Sequence, residues 1–127
     1  MSFFKKLLVA ISLFCSMSAC GQSQGFESLS AEEFAKVVAD SARWQVLDVR
    51  TAEEFASGRL PGAVNVDVRS KDFGGLCLSK LRKDKSVAVY CRSGRRSKVA
   101  AERLVGLGFV VKEMDGGILS WRGPVER

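Results

Sequence analysis

The chain has no histidine among its 127 residues. That removes Ser-His-Asp and Cys-His catalysis, and histidine metal sites, from the chemistry this chain can perform alone. The four cysteines, at 15, 20, 77 and 91, form no Cys-x-x-Cys pair, so neither a zinc ribbon nor a thioredoxin-type motif is supported and no metal or other cofactor is expected. Tyrosine occurs once and aromatic residues do not interleave with basic ones, which argues against nucleic-acid binding despite a net charge of +6. No internal repeat, second domain or long charge block is present. The longest mostly apolar stretch, Leu7 to Ala19, has 13 residues. It falls short of the roughly 20 that a membrane-spanning helix needs.

That stretch follows the short basic start Met1-Ser2-Phe3-Phe4-Lys5-Lys6, which is a signal-peptide pattern over residues 1–19. Met17-Ser18-Ala19-Cys20 resembles a bacterial lipobox. The resemblance implies lipidation at Cys20 and a periplasm-facing, membrane-anchored product. Gly21, standing where an inner-membrane retention signal would place Asp, implies the outer membrane. The alternative is ordinary cleavage and a soluble secreted product. Loss of residues 1–19 removes Lys5 and Lys6 and lowers +6 to +4. Residues 20–25 then form a short tether, and a single domain is expected over 26–127. At 46% hydrophobic content it can build a packed core without disulfides.

Ser30-Ala31-Glu32-Glu33 reads as a capping box opening an amphipathic helix to about Asp40, with Phe34, Val37 and Val38 inward. Thr51-Ala52-Glu53-Glu54 is a second capping box, with Phe55 inward and Gly58 as its stop. Strands are expected at 45–49, 63–66, 86–90 and 109–111. Further helices are expected near Leu76 to Leu81 and from Ser97 to Leu107, the latter burying Val99, Ala100, Leu104 and Leu107. After Asp115-Gly116-Gly117 a short helix would carry Trp121; Trp44 and Trp121 read as packing residues. Strands alternating with helices predict an α/β fold, with a central, mostly parallel sheet covered on both faces. Ligands in such sheets bind at the carboxyl ends of the strands.

Cys91 lies at one of those ends. It closes the apolar run Val87-Ala88-Val89-Tyr90 and opens Arg92-Ser93-Gly94-Arg95-Arg96-Ser97, just before a helix. Backbone N–H groups and a helix N-terminus carry partial positive charge, and three arginines add full charges, so a thiolate is favoured here. A buried, inert cysteine would not need that many arginines beside it. Asp48 and Arg50 lie at another strand end, where pairing and capping would order the rim. Lys80 to Lys85 reads as a solvated turn.

Leu47-Asp48-Val49-Arg50, Glu53-Glu54-Phe55 and Gly58 to Asn65 resemble the first half of a rhodanese domain. Tyr90 to Ser97 resembles its active-site loop, and Asp115-Gly116-Gly117 with Trp121 its C-terminal signature. Gly58-Arg59-Leu60 departs from the Gly-His-Ile of many members, at a position that is not the nucleophile. The resemblance spans about Phe26 to Arg122 and implies a three-layer fold with a five-stranded sheet, and a sulfurtransferase working through a persulfide on Cys91. A small anionic donor such as thiosulfate would give its outer sulfur to Cys91, which passes it to a thiol or cyanide. Backbone N–H groups from Arg92 to Ser97, with Ser93 and Gly94 in the turn, would cradle the persulfide. Arg92, Arg95 and Arg96 are candidates for attracting the donor, Arg96 being also placed to clamp the loop.

Two other readings stand beside this one. Cysteine phosphatases and arsenate reductases share such folds but carry loops resembling Cys-x5-Arg, whereas here Ser97 holds the sixth place and Arg96 comes one early. A non-catalytic binding module is the third. Cys77 is read as a buried thiol, the alternative being a disulfide with Cys91.

Overall fold

The computed structural model describes residues 25–127; the expected signal segment, Cys20 and the tether to residue 24 lie outside them. Strand β1 (Glu27–Leu29) leads through the Ser30–Glu33 capping box into α1 (Ala31–Val38). β2 (Trp44–Asp48) is followed by α2 (Ala52–Ser57), capped by Thr51 and Glu54. After the short β3 (Val64–Asn65) come α3 (Phe73–Lys80), β4 (Ser86–Tyr90), α4 (Arg95–Gly106) and β5 (Val111–Met114). A single 3₁₀ turn, Gly117–Ser120, closes the order. The five strands pair in the order β1-β5-β4-β2-β3, and every pair is parallel.

Because successive side chains of a strand alternate between faces, the sheet carries two apolar layers. Leu47, Val49, Val87, Val89 and Val111 pack beneath α3 and α4, against Phe73, Cys77, Ala100, Ala101 and Leu104. Val46, Ala88, Tyr90 and Met114 face the other way, toward Phe34 of α1 and Trp121. Phe34 and Trp121 meet edge to face, with ring centroids 6.4 Å apart. Both tryptophans therefore pack as the sequence leads one to expect. β4 lies between β5 and β2, so its carboxyl end, and Cys91 with it, sits at the middle of the rim.

Several boundaries differ from the sequence expectation. β1 had no signal: it is three residues long and shows no alternation. The last strand begins at Val111 rather than Phe109, because Phe109 belongs to the end of α4. Its N–H donates to the Leu104 carbonyl while Gly108, at φ +98°, turns the chain. α3 begins at Phe73, since Asp72 caps it by accepting from Gly75 N–H, and Gly74-Gly75 lies inside its first turn. α4 begins at Arg95, so Arg95, Arg96 and Ser97 occupy a helical turn rather than a free loop. On α4 it is Ala101 that is buried and Val99 that faces solvent. Phe55 is only half-buried, with the Arg59 guanidinium 4.8 Å from its ring centroid. Trp121 follows the 3₁₀ turn instead of riding on it.

Candidate active site

β4 delivers Cys91 to the rim with its side chain on the α4 side of the sheet, and the residue is 1% exposed. The chain then turns through the exposed Arg92 and Ser93 to Gly94, whose N–H donates to Cys91 Sγ at 3.1 Å. Gly94 has φ +102°, a conformation side chains disfavour, and a Cβ there would lie 3.0 Å from the Gly116 backbone nitrogen. The loop is held from outside by the segment after β5. Ile118 N–H donates to the Cys91 carbonyl at 2.9 Å and Leu119 N–H to the Arg92 carbonyl at 3.2 Å. Gly117, at φ +63°, lies so close that any Cβ would collide with the Arg92 carbonyl. With these carbonyls engaged outward, the Gly94 N–H is left for the sulfur.

Ser97, in the first turn of α4, is fully buried beside the thiol. Cys91 Sγ–H donates to Ser97 Oγ at 3.3 Å, and Ser97 Oγ–H donates to Glu113 Oε2 at 2.6 Å. Glu113, on β5, has no exposed surface. Its other oxygen accepts from Ser28 Oγ at 2.5 Å and pairs with Lys98 Nζ at 3.2 Å. Lys98 also donates to the Gly94 carbonyl at 3.3 Å and to Asp115 Oδ1 at 2.8 Å. Burial opposes the lysine charge, but its bonds to Asp115 and Glu113 outweigh that and raise its pKa. Glu113 and Lys98 escaped the sequence reading because their partners lie far along the chain. Glu113 follows Lys112 in β5, a charged pair that locally reads as solvated surface.

The three arginines separate. Arg92 and Arg95 are exposed, and among the described residues neither forms an ion pair. Arg96 turns back to Glu54, with two bonds of 2.8 and 3.0 Å. That bidentate bond, helped by the Thr51 cap, pulls the Glu54 pKa down to about 2. Arg96 is thus the loop clamp, although its charge still couples to Cys91. Arg96, the arginine nearest the last place of a Cys-x5-Arg loop, is committed to a carboxylate, whereas Arg92 and Arg95 are not.

Asp48 and Arg50 do not reach Cys91. Both are buried, and their ion pair closes at 2.6 Å. Tyr90 O–H donates to Asp48 Oδ2 at 2.6 Å and accepts from Leu60 N–H at 3.1 Å; Arg50 also donates to the Gly58 carbonyl. Burial and the Asp48 charge push the Tyr90 phenol well above its ordinary value. This group ties β2, β4 and the Gly58–Leu60 turn together. Cys77 lies on α3, fully buried in the same apolar layer as Cys91. Both thiols are free, and burial pushes that of Cys77 up to about 11.

A Rhodanese-like domain family matches residues 30–123. A sulfurtransferase from Allochromatium vinosum is 32% identical over 94 residues, which cover 73% of this chain and 85% of that protein. Thiosulfate sulfurtransferase GlpE from Pseudomonas savastanoi pv. phaseolicola is 40% identical over 79 residues, 61% of this chain and 71% of its own. Among solved structures, a rhodanese-related protein from Thermoplasma volcanium superposes with a TM-score of 0.63 at 31% identity, covering 80% of this chain and 98% of that one.

Proposed function

The chain belongs to the rhodanese-like family, and from that premise we propose that it moves sulfane sulfur through a persulfide on Cys91. The Cys91 thiolate attacks the outer sulfur of thiosulfate or a similar anionic donor. The bond between the two donor sulfurs breaks, and its electron pair leaves with sulfite. An acceptor thiol or cyanide then takes the outer sulfur of the persulfide, and the Cys91 thiolate returns. One observation carries this reading. The sulfur of Cys91 meets the Gly94 N–H at 3.1 Å and the Ser97 hydroxyl at 3.3 Å, beneath a loop whose Cys91 and Arg92 carbonyls are bonded elsewhere. Exposed Arg92 and Arg95 are suited to drawing in the anionic donor, while Arg96 holds the loop to α2 through Glu54. Lipidation at Cys20 would hold the domain at a membrane facing the periplasm. Lipid label on the wild type and none on Cys20→Ala is the expected outcome there; label surviving the substitution rules it out.

Intact-mass measurement after incubation with thiosulfate tests the sulfur step. Wild type should gain one sulfur atom, cyanide should remove it, and Cys91→Ser should gain none. Failure of the wild type to take sulfur from thiosulfate or any other sulfane donor would overturn the proposal.

A further inference from the structure

Resting on that reading of Cys91, a second question follows: where the thiol proton goes in a chain without histidine. We propose that Ser97 and Glu113 together accept the proton of Cys91. Ser97 touches the sulfur, and Glu113 acts through it as a positioning residue. Cys91 Sγ, Ser97 Oγ and Glu113 Oε2 form an unbroken buried line of 3.3 and 2.6 Å. All three residues are at most 1% exposed, so no bulk water takes the proton directly.

As the S–H proton passes to Ser97 Oγ, the hydroxyl's own proton passes to Glu113 Oε2. One S–H and one O–H bond break, two O–H bonds form, and no electron is transferred. The buried site keeps its charge while the negative charge moves from carboxylate to sulfur. The thiolate then accepts from both the Ser97 hydroxyl and the Gly94 N–H. The charged groups facing this line are Lys98 from α4, paired with Glu113 and Asp115, and Arg96, whose charge reaches Cys91. Ser28 of β1 holds the second Glu113 oxygen, and β4 offers only Val89 opposite it.

The test reads the sign of an effect. Iodoacetamide labelling of Cys91 is followed by peptide mass spectrometry across pH, in wild type, Glu113→Gln and Ser97→Ala. If Glu113 were only a nearby negative charge, neutralising it would ease thiolate formation and move the profile to lower pH. If Ser97 only accepted from the thiol, removing it would do the same. A proton acceptor predicts the reverse for both: a profile displaced upward, with labelling slower by about tenfold on its rising limb for each unit of displacement. A downward or absent displacement overturns the proposal. Should either variant fail to fold, infrared difference spectra of the wild type against Cys91→Ala decide over the same pH range. At a pH where Cys91 labels, the wild type must show a protonated-carboxyl stretch that Cys91→Ala lacks, and no S–H stretch, because the internal transfer leaves the proton count unchanged; an absent S–H stretch without that carboxyl band sinks the idea. Neither measurement uses a sulfur donor, so the result stands apart from whether the protein takes up sulfur.

Discussion

The strands flanking β4 each bring one fully buried carboxylate toward the rim, Asp48 from β2 and Glu113 from β5. Their surroundings differ. Asp48 is saturated by a guanidinium that grips both oxygens, a backbone N–H and a phenol, all belonging to the scaffold. Glu113 has a looser set, two hydroxyls and a lysine, and one of those hydroxyls is in contact with the thiol. A carboxylate locked by an arginine holds shape. One joined through a hydroxyl to a nucleophile can exchange a proton along that line. Burial alone does not distinguish the two; the partners do.

Four substitutions sharpen or break this contrast. Asp48→Ala leaves the Arg50 charge buried without its partner and should destabilise by about 3–5 kcal/mol in urea unfolding. Cys91 in the molecules that remain folded should label at the wild-type rate; slow labelling would mean that the β2 side also serves the nucleophile. Gly117→Ala strains a left-handed residue and drives Cβ into the Arg92 carbonyl, at about 2–3 kcal/mol. Because that carbonyl belongs to the loop, sulfur uptake should fall along with stability. Cys77→Ala should remove about 1 kcal/mol by opening a small void, with Cys91 labelling unchanged. Altered labelling would couple the two thiols. Arg96→Ala has the smallest expected effect, about 0.5–1 kcal/mol near neutral pH, since the pair is partly solvated. Glu54 titrates lower in the folded state than its ordinary 4.5, so its contribution is present above that value and disappears as the pH falls toward about 2. Acid unfolding of Arg96→Ala should show most of that dependence missing.

What the sequence discloses here follows the distance over which each feature is built. The two capping boxes are complete within four residues, and both form as read. Cys91 and the turn after it are contiguous, so their place at a strand end before a helix was legible. The start of α4 was not, because Gly94 caps it without a side chain. Ser97 looks like a helix opener, yet it lies inside the turn with its hydroxyl between Cys91 and Glu113. Glu113 joins partners 16 and 85 positions away, Ser97 and Ser28, and only the pairing of β1 with β5 brings the latter close. No local pattern could disclose that set. Arg96 shows the intermediate case: its two possible roles were visible, and Glu54, 42 positions earlier, decides between them.

The outward hydrogen bonds from Ile118 and Leu119 to the nucleophile loop also bear on how the protein is made. A ribosome delivers the chain from its N-terminus, and a domain generally folds as a unit. β5, which separates β1 from β4, is the last strand to be synthesised, and the residues that restrain the Cys91 and Arg92 carbonyls come later still. Wherever the chain folds, the setting of Cys91 is complete only once β5 and the segment after it have docked. Until then Cys91 is a thiol on an unfinished sheet, without the Ser97–Glu113 line and without the bonds from Ile118 and Leu119 that restrain its loop.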